Sequence, residues 1–405
     1  MKQLLKRLFS QQLINNFYHL PKAILASFIY GFPTKKLKVI GITGTDGKTT
    51  TTNMIYQILK SAGKKVSMVS TINATIAGKS YDTGFHVTSP DPFLVQKFAK
   101  QAVRNGDEYL VLEVTSHALD QYRFWGIRFE VGVITNITHD HLDYHKTFDN
   151  YKKTKLKLLR EVKYAIVNEQ IVANRNKNIS GINTKGKVIT FGMDKGDFNQ
   201  KEVKLKLKLI GDYNIENSLA SLAVGFVLGI DKNIARKTLE DFMGISGRLE
   251  EVKNKKNIRI IVDFAHTPNA LEQVLKALKK ETPGRLIAVF GCAGKRDEEK
   301  REMMGEISKK YADLVVITSE DPRGDLKKIN QQIKKGLIKA GGKEDVNFFI
   351  IDDRRKAIQF AVNNLSKRGD LIGIFGKGHE TSLNLDGKRE IPWSDKEVVK
   401  DVLNG

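Results

Sequence analysis

The sequence predicts an α/β protein with two successive domains, each built on a mostly parallel sheet. Three observations carry that reading. The chain has 405 residues, enough for two or three separate hydrophobic cores. From Lys38 onward, short apolar runs alternate with amphipathic helical stretches. Around Gly244–Gly247 the alternation breaks and then restarts. The division is therefore an N-terminal helical segment (1–37), a central domain (38–245) and a C-terminal domain (246–405).

Residues 1–37 contain Lys2, Lys6 and Arg7, then apolar positions at helical spacing, then the apolar run Ala23–Phe32. That run is too short to span a bilayer. Pro21 and Lys22 sit just before it and no cleavage site follows, so it does not read as a signal peptide. One reading is one or two helices packing on the next domain. The sharper alternative is a peripheral membrane or partner-chain contact.

In the central domain Val39–Thr43 reads as a strand and Thr49–Ala62 as the helix behind it. Val66–Ser70, Tyr109–Val114 and Val131–Asn136 read as further strands, and their polar ends lie where such sheets gather ligands. Residues 163–210 are β-like and lysine-rich, and Asn214–Leu228 is helical. In the C-terminal domain, strands are expected at Ile258–Asp263, Leu286–Phe290, Leu314–Thr318, Phe348–Ile351 and Leu371–Phe375. With helices between them they make a doubly wound, Rossmann-like sheet.

Composition narrows the function. Hydrophobic residues make up 40% and charged residues 28%, which is the balance of a globular chain rather than a disordered one. The single cysteine, Cys292, excludes an intramolecular disulfide and a cysteine-rich zinc site, and fits a cytoplasmic protein. The formal charge is +22, but 46 acidic residues are interleaved with 68 basic ones and no nucleic-acid motif appears. A lysine-rich surface, or attraction of acidic substrates or membrane, explains the charge without a nucleic-acid partner. The chain is expected to be monomeric.

Residues 41–52 read Gly-Ile-Thr-Gly-Thr-Asp-Gly-Lys-Thr-Thr-Thr-Thr between a predicted strand and a predicted helix. Strict P-loop spacing asks for glycine where Ile42 stands. The physical parts are nonetheless present. Gly44 and Gly47 allow a tight turn through Thr45 and Asp46 whose amides face phosphates, and a helix N-terminus at Thr49 and Thr50 favours anions. Lys48 can reach the β/γ-phosphates and the Thr49 hydroxyl can ligate Mg²⁺. The bland alternative is a glycine-bearing turn with a lysine by chance. The strand–loop–helix setting favours ATP and makes the central domain P-loop-type.

Glu113-Val-Thr-Ser-His117 ends one predicted strand, and Thr135-Asn-Ile-Thr-His-Asp-His141-Leu-Asp-Tyr-His145 ends the next. Four of eight histidines fall between 117 and 145. Strand ends so placed can bring Glu113 and His141 to the phosphate loop, where a carboxylate and an imidazole suit Mg²⁺ or Mn²⁺. The alternative is a set of capping and surface histidines.

Taken jointly, the phosphate loop and these two stretches resemble the Mur ligase family, in the type that extends UDP-N-acetylmuramoyl-L-alanyl-D-glutamate by a diamino acid. The likeness runs from about residue 38 to 400. It implies an ATP-dependent ligase of peptidoglycan synthesis that forms an amide through an acyl phosphate. It also implies that Lys155, in Tyr151-Lys-Lys-Thr-Lys155, is carbamylated and holds a second Mg²⁺ with Glu113 and His141, Thr49 helping with the first. Thr154 stands where the family has alanine.

By the same resemblance Asn214, Asn217, Arg248, Asp263 and His266 face the nucleotide. Thr88, Ser89, Thr115, Gln121 and Arg123 meet the small-molecule cell-wall precursor. Arg296, the stretch Glu320-Asp321-Pro322-Arg323, Gly376 and Glu380 form the amino-acid pocket. Diaminopimelate-adding relatives carry Asp-Asn-Pro-Arg at that stretch, so Arg323 is kept while Glu320 and Asp321 depart. Arginine suits a far carboxylate, which makes diaminopimelate the first expectation and lysine the second.

Only 37 residues precede the first strand, where relatives carry a UDP-binding domain. Three arrangements would follow: a partner chain that grips the uridine, a lipid-linked acceptor, or binding by the two later domains alone. A folylpolyglutamate-synthase-like ligase and a non-catalytic, partner-dependent paralogue are the alternatives. The lipid-amidating relatives carry a four-cysteine zinc ribbon, which one cysteine cannot build.

Overall fold

The computed structural model describes residues 10–81, 89–172 and 184–404. Two compact units are present. The first comprises the described residues up to Ile137 together with Thr147–Lys208 and Tyr213–Phe242. The second begins at Met243 and takes in two short segments from earlier in the chain, Thr138–Lys146 and Leu209–Asp212.

The first unit holds a nine-stranded sheet. Its strands are β1 Lys38–Thr43, β2 Val66–Val69, β3 Ala74–Ile76, β4 Lys79–Tyr81, β5 Tyr109–Glu113, β6 Phe129–Ile134, β7 Tyr164–Asn168, β8 Lys187–Gly192 and β9 Phe198–Asn199. The order is β4-β3-β2-β5-β1-β6-β7-β8-β9, parallel except for the β2–β3–β4 meander at one edge. β1 sits between β5 and β6 and is parallel to both. It is buried from Val39 onward and all of β5 is buried, giving the unbroken apolar runs of strands covered on both faces. Sequence order reverses across β1, so a loop leaving its carboxyl end opens between the ends of β5 and β6.

That loop leads into the Lys48–Ser61 helix, whose first turn, Lys48-Thr-Thr-Thr, has its three threonines buried. The helix stops at Ala62, and Gly63 follows at φ +71, the usual left-handed exit. Several elements were not read from the sequence, two of them beside the strands of the first sheet. The β3–β4 hairpin is one; the other is the Pro92–Arg104 helix, capped by the Asp91 carboxylate on the Phe93 amide at 3.0 Å. The β-like stretch 163–210 resolves into β7, β8 and the two-residue β9, followed by a short Gln200–Val203 helix.

The second unit contains a six-stranded sheet of β10 Glu250–Glu251, β11 Arg259–Asp263, β12 Leu286–Phe290, β13 Leu314–Ile317, β14 Phe348–Ile350 and β15 Leu371–Phe375. The order is β10-β11-β15-β12-β13-β14, and only β10 is antiparallel. Helices Pro268–Glu281, Glu299–Tyr311, Leu326–Lys339 and Asp395–Asn404 accompany it. The last helix is tied down by a fully buried ion pair. Arg354 Nε and Nη2 each donate to the Asp395 carboxylate at 2.7 Å. The remaining Arg354 bonds go to the Ser319 and Phe375 carbonyls at 3.1 and 2.9 Å, at the carboxyl ends of β13 and β15.

Candidate active site

In the first unit the phosphate loop is shaped by its neighbours on β6 and on the Asp212–Val227 helix. A Cβ on Gly44 would lie 1.8 Å from Thr135 Oγ1, and one on Gly47 would lie 2.3 Å from Asn217 Oδ1. Gly47 also adopts φ +81, so glycine is required there twice over. The end of β6 grips the loop: the Thr45 amide donates to the Asn136 carbonyl at 3.0 Å and the Asp46 amide to Asn136 Oδ1 at 2.9 Å. Asn136 Nδ2 and Thr135 Oγ1 donate to the Asp46 carbonyl at 3.1 and 2.6 Å.

Lys48 Nζ folds back on the loop, donating to the Gly44 and Thr45 carbonyls at 3.1 and 2.7 Å. Lys155 is buried, donates to the Gly44 carbonyl at 2.6 Å and lies 4.6 Å from the Tyr151 ring centroid. The Tyr151 hydroxyl is 3.1 Å from Thr45 Oγ1. Thr49 Oγ1 donates to Glu113 Oε1 at 3.1 Å, and Thr71 donates to the same carboxylate through its hydroxyl and its amide, each at 2.8 Å. A hydroxyl and a carboxylate held together beside a phosphate loop are the hard oxygen donors that Mg²⁺ takes. Asn214 and Asn217 are buried, and Asn217 Oδ1 accepts from Thr51 Oγ1 at 3.3 Å.

Just past Glu113 a second set of expected residues comes together. Ser89 Oγ donates to the Glu113 carbonyl at 3.1 Å and accepts from the Thr115 amide at 3.0 Å. Arg123 Nη1 donates to the Ser89 carbonyl, while its Nε and Nη2 donate to Gln121 Oε1 at 3.0 and 2.7 Å. Thr88 lies outside the described residues.

The other expected residues fall in the second unit, His141 among them. His141 adopts φ +55, and its Nε2 lies 3.3 Å from Asp140 Oδ2. Burial pushes the Asp140 carboxyl up, but the charges of His141, Lys300 and His266 outweigh it and hold the group below the usual carboxylate range. At the end of β11 the Asp263 carboxylate accepts from the Leu249 and Ala265 amides, both at 2.7 Å. The Arg248 guanidinium lies 4.5 Å from the Phe264 ring centroid, and the His266 and His379 rings pack on the same phenyl at 4.5 and 5.0 Å. Burial, with help from the Arg248 charge, pulls His379 down to about 4, so it is neutral at pH 7.

Glu320 and Asp321 are buried beyond the end of β13. Asp321 Oδ1 accepts from Lys377 Nζ at 3.1 Å and from the Asn384 amide at 2.9 Å. The extra acid at this position is thus met by a fully buried lysine, which also reaches Glu380 at 2.5 Å. Arg323 adopts φ +50, and its Nη2 lies 3.7 Å from Asp321 Oδ2. Gly376 faces Glu320, whose Oε2 would be 2.8 Å from an added Cβ. Arg296 exerts its charge on Asp143.

Residues 42–225 match the Mur ligase middle domain, and residues 247–378 match the Mur ligase glutamate ligase domain. A UDP-N-acetylmuramoyl-L-alanyl-D-glutamate–2,6-diaminopimelate ligase of Aquifex aeolicus (strain VF5) is 39% identical over 397 residues, covering 93% of this chain and 79% of that relative. The chain belongs to the Mur ligase family. A ligase of the same name from Clostridium perfringens (strain 13 / Type A) is also 39% identical, over 95% of this Mur ligase and 82% of the relative. A solved structure of a UDP-N-acetylmuramoyl-L-alanyl-D-glutamate–2,6-diaminopimelate ligase is similar at TM-score 0.56 and 28% identity. It covers 91% of this chain, which covers 78% of it.

Several polar residues of this Mur ligase escaped the sequence reading. Thr71, Tyr151 and Thr135 bind the loop or its carboxylate, and Lys300 donates to the His266 carbonyl at 2.9 Å. His139, whose Nε2 is 3.1 Å from Asp297 Oδ2, was legible only as one of a histidine cluster.

Glu320 gives a pH-dependent prediction. Burial, and secondarily Asp321, raises its carboxyl from 4.5 to about 7, against the lowering pull of Lys300, Lys377 and Arg354. Between those values the folded protein keeps a proton that the unfolded chain has lost, so stability falls as pH rises through that window. The loss, complete above the folded value, is about 3 kcal/mol. Glu320→Gln is therefore expected to raise the thermal midpoint relative to the parent at pH 8 and to raise it much less at pH 5. An equal difference at both pH values would contradict the burial argument.

Proposed function

We propose that this Mur ligase adds meso-diaminopimelate to the D-glutamate of a UDP-N-acetylmuramoyl-dipeptide-type precursor in the cytoplasm, converting ATP to ADP and phosphate. The observation that carries the reading is the phosphate loop at the carboxyl end of β1, with the Thr49 hydroxyl already set on Glu113. A γ-carboxylate oxygen of the acceptor attacks the γ-phosphorus of ATP, giving an acyl phosphate and ADP. The neutral amine then attacks the acyl carbon, phosphate leaves with the carboxylate oxygen, and the amine's proton passes to solvent.

Lys48 and the loop amides bind the phosphates and stabilise charge on the transferring group, which is electrostatic rather than covalent assistance. Two Mg²⁺ ions, for which Thr49, Glu113 and a carbamylated Lys155 of the first unit would supply ligands, would neutralise further charge there. Ser89, Thr115, Gln121 and Arg123 orient the acceptor. Arg323 pairs with the far carboxylate of the diamino acid, a contact lysine cannot offer. The relatives that match 93 and 95% of this chain carry the diaminopimelate name, which supports the choice of amino acid.

The experiment is phosphate release from MgATP and UDP-N-acetylmuramoyl-L-Ala-D-Glu, offered diaminopimelate, lysine, ornithine or nothing. Release that requires diaminopimelate is expected. Release driven by lysine and not by diaminopimelate would overturn the substrate assignment.

A further inference from the structure

Residues 11–30 form one helical run: Gln11–Ile14, a π-helical turn Asn15–His19, and Leu20–Tyr30. One face is anchored to the first unit. Asn15 Nδ2 donates to Asp120 Oδ2 at 2.7 Å, and Ser27 Oγ donates to the Trp125 carbonyl at 3.0 Å and accepts from Gln96. Lys22 pairs with Asp91, and Ala23 and Ala26 are buried.

The opposite face is apolar and open. Leu13, Phe17, Leu25 and Ile29 are spaced by multiples of four residues and are 44, 78, 53 and 58% exposed. Tyr18 and Phe28 flank that file at 50 and 64%. Of the fifteen large apolar side chains exposed among the described residues, six lie within these seventeen positions, so this is a patch rather than scatter.

Charge indicates what covers it. The first 45 residues contain six lysines and one arginine and no acid at all; all 46 acidic residues come from Asp46 onward. Lys35 and Lys36 are exposed at the end of the helical run. A protein partner gives no reason for an acid-free segment of this length. An anionic lipid surface does, because basic residues meet its headgroups while aromatic and aliphatic side chains enter the interface. We propose that this face seats the enzyme on an anionic bilayer. The inference stands apart from the ligase reading, since the bonds named for this segment go to Asp120, Trp125, Gln96 and Asp91 rather than to the phosphate loop or Glu113.

The test is flotation of the full chain with vesicles of phosphatidylglycerol and phosphatidylcholine in equal parts, against phosphatidylcholine alone. Binding is expected on the anionic vesicles and is expected to weaken at high salt. The Phe17→Ser/Phe28→Ser pair should lower it about tenfold or more. Lys35→Gln/Lys36→Gln should lower it at low salt and match the parent at high salt. The unfolding midpoint of each variant reports on folding. Absence of binding by the folded parent, or equal binding by the serine pair, would overturn the proposal. So would self-association that the serine pair abolishes without any vesicle binding, which would assign the face to a second copy.

Discussion

Lys48→Ala is expected to lower ATP turnover on the order of a hundred- to a thousandfold while the protein stays folded. The two expectations come from the same geometry. The ammonium donates to two loop carbonyls, Gly44 and Thr45, so its removal strands no buried charge. Those bonds are weak competitors for an ammonium that a triphosphate would draw outward. The lost function is therefore charge stabilisation during transfer, not architecture. Steady-state phosphate release paired with an unfolding curve checks both parts. Turnover equal to the parent would remove Lys48 from the chemistry, whereas a collapsed unfolding midpoint would show that the loop depends on it structurally.

Asp395→Ala is expected to destabilise the second unit by about 3–5 kcal/mol. Asp395 and Arg354 are both buried, and alanine leaves the guanidinium with carbonyl partners but without its paired carboxylate. Burial opposes the charge on Arg354, and Asp395 is the largest influence sustaining it. Trp393 Nε1, which donates to Asp395 Oδ1 at 2.8 Å, loses its acceptor as well. The effect should reach the proposed amino-acid pocket, because Arg354 holds the Ser319 and Phe375 carbonyls immediately before Glu320 and Gly376. Denaturant unfolding measures the loss. The exposed pair Lys400–Glu397 supplies the contrast: Glu397→Ala should change stability by no more than about 0.5 kcal/mol. Similar losses at both sites would contradict the role given to burial.

How much of this was legible depended on whether the signal was local. β12 and β15 were readable to the residue because strands buried on both faces are uninterrupted apolar runs between turns. The loop at 41–52 was readable because its glycines, lysine and helix start are contiguous. β8 was blurred by its exposed Lys187, and β9 is two residues long, below what periodicity can register. The Pro92–Arg104 helix does carry a local start signal, the capping Asp91 followed by Pro92, but lies outside the strand-and-helix alternation read above.

Buried charges were the least legible. Lys377, Lys300 and Arg354 look like surface residues in a lysine-rich chain. Their burial depends on partners distant in sequence, Asp321 for Lys377 and Asp395 for Arg354, which no local pattern reveals. The same holds for Asp321, whose added charge was a departure in the sequence and is met in the fold by Lys377.

The most direct measurement of the proposed chemistry follows oxygen. The acceptor's D-glutamate γ-carboxylate is labelled with ¹⁸O, and the phosphate released with MgATP and diaminopimelate is weighed. If the carboxylate is activated as an acyl phosphate, each amide formed sends one ¹⁸O into inorganic phosphate, and the peptide gains one diaminopimelate residue. Phosphate free of label would mean that water or another nucleophile took the phosphoryl group, and the proposed ligase reaction would be wrong.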